Sequence, residues 1–371
     1  MKRLSVLIKP ASALCNIRCK YCFYADISSL REVKSHGKMK QAVMEKLIDN
    51  IFLDLNDGDE MLFAFQGGEP TIAGLSYFKS FVSYVKLKNR PHVKVSYSMQ
   101  TNGILIDEQW CEFFKEHRFL LGISIDGGAK FHDVNRVDAR ERGTYERVLH
   151  TKKLFDVYGI DYNVLCVLTN QNARHPEKIF QFLMREKIKY VQFIPCLDDL
   201  EQQEKSYYAL EPKRFAHFYN IMYQLWCKEL QQGNYVSINF FDNIINYLQS
   251  GIVGACGLIG QCQPQYVIES DGSVYPCDFY ALDENCMGFI TENTLRELFQ
   301  TSEMHNFLQC SSANTPNDFC EQCPFFKMCR GGCKRMKHAV YLNKQQNYCG
   351  YQTFLQNNIQ SMLEIAGTLR G

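Results

Sequence analysis

The chain has 371 residues, of which 46% are hydrophobic and 22% charged, with a formal net charge of +1. That length permits one large domain or two with an ample core. The near-zero charge gives no electrostatic case for a nucleic-acid or membrane partner. No charged n-region precedes an apolar h-region at the start, and no apolar run is long enough to span a bilayer, so the expected location is the cytoplasm. The outlier is a count of 17 cysteines. The odd total argues against a complete disulfide framework, and in a reducing cytosol clustered cysteines read as metal or catalytic sites.

In chain order, short segments rich in β-branched or aromatic residues predict strands at Leu4–Lys9, Met61–Gln66, Val93–Met99, Leu120–Ile125, Tyr162–Leu168 and Tyr190–Ile194. Helical patterns lie between them at Lys40–Leu55, Leu75–Lys88, Glu108–Glu116, Tyr145–Val157 and Pro176–Glu186. Repeated βα units imply α/β architecture, a parallel sheet with helices outside. Six units suggest a partial (β/α)6 TIM-like barrel, in which functional residues gather at the C-terminal strand ends. A further helix is expected at Pro212–Gln231. Past Gly254, glycine and cysteine become frequent, and Val267 to Tyr275 reads as a hairpin turning at Asp271-Gly272. A boundary is expected near 235–250, giving domains 1–240 and 241–371, the second ending in a helix over Thr353–Gly367.

Cys15, Cys19 and Cys22 follow the first strand in the run Cys15-Asn16-Ile17-Arg18-Cys19-Lys20-Tyr21-Cys22. Three thiolates at this spacing suit three irons of a [4Fe–4S] cluster and leave the fourth iron open. A zinc site lacking a ligand is the simpler alternative. Gln66-Gly67-Gly68-Glu69-Pro70 closes the second strand, where paired glycines permit close backbone approach and a carboxylate suits an ammonium group. Ser124 ends the fourth strand, and Arg136 offers a bidentate fork for a carboxylate, unless it belongs to a solvated charge run. In the last third stand Cys256, Cys262 and Cys277, then Cys320, Cys323, Cys329 and Cys333, then Cys349. Eight thiolates divide into two four-ligand sites. Spacing alone groups Cys320 to Cys333 together, as a cluster or a zinc ribbon. Cys111, Cys166 and Cys227 read as small buried hydrophobes.

With an aromatic, Tyr21, before its last cysteine, the three-cysteine motif resembles that of the radical S-adenosylmethionine (SAM) superfamily, and Gly67-Gly68-Glu69-Pro70 resembles its "GGEP" motif. In that superfamily the open iron binds the amino and carboxylate groups of SAM, which is cleaved to a 5′-deoxyadenosyl radical. The resemblance implies SAM contacts at Tyr21, Gln66, Gly67, Gly68, Glu69, Ser124, Arg136 and Leu197. The last third resembles the SPASM domain, a C-terminal domain with two auxiliary [4Fe–4S] clusters, making three in all. That implies Cys256, Cys262, Cys277 and Cys333 for one and Cys320, Cys323, Cys329 and Cys349 for the other. The interleaving comes from the family.

Cys277-Asp278-Phe279-Tyr280 looks like the anaerobic sulfatase-maturating enzymes, where the matching aspartate is the proposed base. Lys9-Pro10-Ala11-Ser12, Gln100-Thr101-Asn102-Gly103 and Glu269 to Pro276 match that family too. The resemblance implies oxidation of a Cys or Ser in an unfolded sulfatase segment of the Cys/Ser-x-Pro/Ala-x-Arg type to Cα-formylglycine. Asp278 would take the proton, and a ferredoxin or flavodoxin would be the external electron carrier. The rival expectation is a SPASM enzyme that modifies a ribosomal peptide. The few residues before the first strand disfavour the leader-recognition domain common in such enzymes. A non-catalytic three-cluster electron-transfer protein is a third reading, opposed by the open three-cysteine site.

Overall fold

The computed structural model describes residues 1–89, 92–202, 204–252, 254–258, 260–312, 318–343 and 347–368. They form two compact units, each assembled from separated stretches of chain. The first comprises Met1–Ser124, Asp133–Tyr162 and Pro264–Leu308; the second comprises Ile125–His132, Asn163–Gln263 and Gln309–Gly371.

In the first unit, strands Arg3–Ile8, Glu60–Phe65, Lys94–Thr101 and Leu120–Ser124 lie parallel in that order. Each begins or ends within two residues of its sequence prediction. The helices between them bury one face, as Met44, Leu47, Ile48 and Ile51 do on Gln41–Phe52. Asp107 caps Glu108–Glu116 by accepting from the Trp110 amide at 3.1 Å, satisfying one of the free N–H groups of the first turn. Phe65, Phe78, Phe81, Trp110, Phe114 and Phe119 interlock with centroid separations of 5.0 to 6.3 Å. These tilted and edge contacts, with Phe65 and Phe119 stacked, suit the ring quadrupoles.

The expected hairpin forms, and its place is informative. Strand Val267–Ile268 pairs parallel with the first strand, Leu7 facing Val267 and Ile8 facing Ile268, and Val274–Tyr275 pairs antiparallel outside it. Gly272 adopts φ +95° at the turn, a conformation that costs glycine little.

In the second unit, Tyr162–Leu168 (from its second residue), Tyr190–Pro195 and Ser237–Ile238 are parallel. Helices Pro212–Gln231, Asn239–Ser250 and Gly350–Thr368 pack through Tyr219, Tyr223, Trp226, Phe241 and Phe354. The last helix starts three residues before its predicted limit. Cys111 and Cys166 are buried, as expected, whereas Cys227 is only half-buried.

One polar cluster is enclosed in the first unit. Glu269, at the end of the hairpin's first strand, has no exposed surface. It accepts from Ser12 Oγ at 3.0 Å, Tyr24 OH at 2.5 Å and Arg31 Nη1 at 2.9 Å. Lys9 Nζ is 3.8 Å from it. Burial works against the Glu269 charge, but Lys9 and Arg31 outweigh it and hold the carboxyl below its ordinary value. Breaking such a buried ionic cluster leaves an uncompensated charge and costs roughly 3–5 kcal/mol. Denaturant unfolding should show Glu269→Gln less stable by about that amount at neutral pH. Because the folded-state pKa is depressed, this stability is full above the ordinary carboxylate range and lost as acid passes the lowered value. The gap between wild type and variant should therefore close only in acid.

Candidate active site and cluster ligands

The three N-terminal cysteines are arranged by backbone pairing. Strand Ile17–Cys19 runs antiparallel to Arg136–Asp138, with Cys19 opposite Arg136. Cys22 caps helix Phe23–Ser29, and its amide donates to the Cys19 carbonyl at 3.2 Å. Arg136 Nη1 stands 3.8 Å from Cys19 Sγ, and its guanidinium lies 5.5 Å from the Tyr21 ring centroid. Asn102 Nδ2 is 3.8 Å from Cys15 Sγ and 2.8 Å from Asn16 Oδ1.

Gln66 to Glu69 runs alongside this loop. The Gly68 amide donates to the Ser12 carbonyl at 2.9 Å and the Glu69 amide to Leu14 at 2.8 Å. Gly67 has φ +125°, and a Cβ on Gly68 would fall 2.2 Å from the Leu14 carbonyl oxygen, so both glycines are demanded by the backbone. Glu69 is 1% exposed and turns inward. It accepts from the Thr71 amide at 3.1 Å, Thr71 Oγ1 at 2.6 Å, Thr101 Oγ1 at 2.8 Å and the Asn102 amide at 2.7 Å. Burial raises its pKa, and these donors oppose the rise. Asn16 Nδ2 and Asn135 Oδ1 are buried without hydrogen-bond partners. Unmet polar atoms beside three cysteines fit a site that takes a polar cofactor.

Asp278 opens a short turn, Asp278–Tyr280, directly after Cys277. Its Oδ2 accepts from Gln66 Nε2 at 3.0 Å, and its Oδ1 is 2.6 Å from Lys9 Nζ. Gln66, expected as a SAM contact, thus also touches the candidate base; no sequence spacing linked residues 9, 66 and 278. Ser124 ends its strand in the first unit, whereas Leu197 is buried two residues beyond a strand end in the second.

In the second unit, Cys320, Cys323, Cys329 and Cys349 line one cavity, together with Tyr341 and Tyr351. Cys256, Cys262 and Cys333 line another. The Cys333 amide donates to the Gly257 carbonyl at 3.3 Å, and Tyr341 OH donates to the same oxygen at 2.7 Å. These bonds draw Cys256 to Cys333. Burial pushes the Cys329 thiol up to about 12 and the Cys349 thiol to about 11, and neighbouring cysteines add to both. Thiolates crowded this way need a positive centre to compensate them. Four sulfurs spread around a cavity suit a multi-iron cluster better than one zinc.

Comparison with known proteins establishes the family. The Radical SAM superfamily model matches residues 10–183, and the SPASM iron-sulfur cluster-binding domain matches 256–324. A cysteine-type anaerobic sulfatase-maturating enzyme from Clostridium novyi (strain NT) is 41% identical across this whole chain and 99% of its own length. The chain belongs to the anaerobic sulfatase-maturating enzyme family. It is a radical SAM oxidoreductase with a radical SAM domain and a SPASM domain, as the sequence predicts, and its cofactors are SAM and three [4Fe–4S] clusters. A serine-type family member from Bacteroides thetaiotaomicron is 28% identical over 96% of this chain and 89% of its own. The structure "Native anSMEcpe with bound AdoMet and Kp18Cys peptide" superposes with a TM-score of 0.91 at 39% identity, covering 99% of both chains.

Gly68→Ala should push residues 66–69 off the backbone at Leu14. The expected cost is about 1–3 kcal/mol in denaturant unfolding, as for other overpacked sites. SAM binding, followed by equilibrium dialysis, should weaken with it.

Proposed function

We propose that this enzyme acts on cysteine-type sulfatases, oxidising the target cysteine to Cα-formylglycine within an unfolded peptide segment. The observation that carries this reading is identity. Cysteine-type relatives are 39–41% identical over the full chain, against 28–29% for serine-type ones. Support for a peptide substrate comes from the bound peptide in the 39%-identical solved structure.

Cys15, Cys19 and Cys22 would hold the SAM cluster, with Arg136 and Asn102 beside two of the sulfurs. Tyr21, Gln66, Gly67, Gly68, Glu69, Ser124, Arg136 and Leu197 are the proposed SAM contacts. When bound, reduced cluster and SAM supply a 5′-deoxyadenosyl radical able to remove a hydrogen atom from the target Cβ. Asp278 would accept the thiol proton on a carboxylate oxygen, a role supported by its enclosed place beside Gln66, and with one further electron removed the thioaldehyde so formed would be hydrolysed by water to the aldehyde, releasing hydrogen sulfide. Cys256, Cys262, Cys277 and Cys333 would hold one auxiliary cluster and Cys320, Cys323, Cys329 and Cys349 the other. The cavities lined by Cys349 and by Cys333 support that interleaving. Full cysteine ligation leaves no open iron, which suits electron transfer to an external ferredoxin or flavodoxin.

We read residues 1–240 and 241–371 as the two sequence modules, because the two family matches fall on either side of that division. No described helix is long and apolar enough to cross a membrane. We place the enzyme in the cytoplasm, where its thiols stay reduced.

Anaerobic reconstitution, then reductant, SAM and peptides carrying Cys-x-Pro-x-Arg or its Ser counterpart, tests the function by mass spectrometry. The Cys peptide should gain the aldehyde faster. SAM cleavage with no aldehyde from either peptide would overturn the assignment. Asp278→Asn should lose most aldehyde formation, by roughly 10²–10⁴-fold.

The ligand sets are tested by iron content. Cys349→Ala and Cys333→Ala should each deplete iron by up to about a third, one cluster of three. Unchanged iron in Cys349→Ala would return its set to the Cys320–Cys333 grouping that spacing suggests.

A further inference from the structure

We propose that Lys9 is a positioning residue for Asp278, an inference that rests on reading Asp278 as the proton acceptor. Lys9 lies one residue beyond the first strand, and its backbone amide donates to the Ile268 carbonyl at 2.8 Å. Its side chain has no exposed surface, while that of Asp278 keeps 10%. The Lys9 ammonium therefore reaches the carboxylate from the interior, and the little surface Asp278 retains faces elsewhere. Lys9 Nζ meets Oδ1 at 2.6 Å while Gln66 Nε2 donates to Oδ2 at 3.0 Å. The Asp278 amide is fixed separately, donating to Gln265 Oε1 at 3.0 Å. Gln66 hydrogen-bonds one oxygen and the Lys9 ion pair holds the other, buried one, so turning the carboxylate disturbs both, while Oδ2 keeps acceptor capacity for a substrate proton.

Lys9 is itself held in place. Its Nζ sits 3.3 Å from the Tyr24 ring centroid, a cation–π contact that fixes the end of a flexible stem. A purely structural role would be to neutralise Glu269. Lys9 shares that role with Arg31, which lies nearer at 2.9 Å against 3.8 Å, so the positioning role is separated from it by the product ratio measured below. The nearest carboxylate to Lys9 is Asp278, and a buried ammonium is costly to enclose for packing alone. Holding a reacting group in place matters because a displacement near 1 Å costs on the order of 10²-fold in rate.

The test uses anaerobically reconstituted holoenzyme with the Cys peptide, SAM and reductant, measuring 5′-deoxyadenosine and aldehyde together. Lys9→Met should lower the aldehyde kcat by about 10- to 100-fold and leave the peptide KM within about twofold. The 5′-deoxyadenosine released per aldehyde should rise about tenfold or more, since SAM consumption is no longer followed by proton removal. A double variant, Lys9→Met with Asp278→Asn, should match Asp278→Asn alone in both products per folded holoenzyme, because the effect of Lys9 on turnover runs through that carboxylate. Equal proportional loss of both products in Lys9→Met, or a double variant well below Asp278→Asn, overturns the proposal. If Lys9→Met yields no folded holoenzyme by iron content, Lys9→Gln, which keeps a donor without charge, is judged by the same product ratio. Wild-type turnover in Asp278→Asn would instead remove the base assignment itself.

Discussion

Glu269 is the contact on which the first unit's functional geometry depends. Its carboxylate belongs to the C-terminal third of the sequence, while three of its donors, Ser12, Tyr24 and Arg31, flank the N-terminal cysteines. Sheet pairing of Leu7 and Ile8 with Val267 and Ile268 brings these segments together. Pairing alone leaves the loops beyond the strand ends free to diverge. The buried carboxylate closes them, since each donor it loses is left unsatisfied away from water. Cys277 and Asp278 follow directly from that hairpin, so their approach to Lys9 and Gln66 is set by the same tie.

Glu69 does comparable work one strand further along. It joins Thr71 to Thr101 and Asn102 at the ends of neighbouring strands, and Asn102 leads on to Cys15. A carboxylate this deep would destabilise the fold if unpartnered; with four donors it becomes a rigid joint. The motif glutamate thus shapes the loop around Cys15 from behind, and the neighbouring glycines allow the chain to lie flat against Ser12 and Leu14.

Much of this was legible in the sequence. Strands such as Leu120–Ile125 and Tyr162–Leu168 are short, β-branched and bounded by turns, and they formed within a residue of expectation. The hairpin was legible from Asp271-Gly272, but its partner was not. Pairing with residues 7–8 is a contact over some 260 positions that no local pattern encodes. Helices Phe23–Ser29 and Asn239–Ser250 escaped notice for different reasons. The first is short and follows a metal motif; the second carries four asparagines or aspartates, weak helix formers in its interior, and is stabilised by packing of Phe241. Cysteine spacing could not separate Cys333 from Cys320, Cys323 and Cys329. In the fold Cys333 lines a different cavity from those three, with its amide bonded to the Gly257 carbonyl beside Cys256.

Lys9, Arg31, Glu269 and Asp278 also form a closed electrostatic account. Two formal positive and two formal negative side chains share one enclosed region, linked through Tyr24. No member can lose its charge alone without leaving an opposite charge unpaired in a low-dielectric setting, where the penalty is largest. The arrangement therefore couples stability to reactivity. Lys9 belongs both to the cluster around Glu269 and to the pair that holds Asp278, so this part of the first unit has little freedom to loosen independently of the fold. That rigidity suits the role proposed for Asp278, since a proton acceptor in radical chemistry must already be in position when the hydrogen atom leaves.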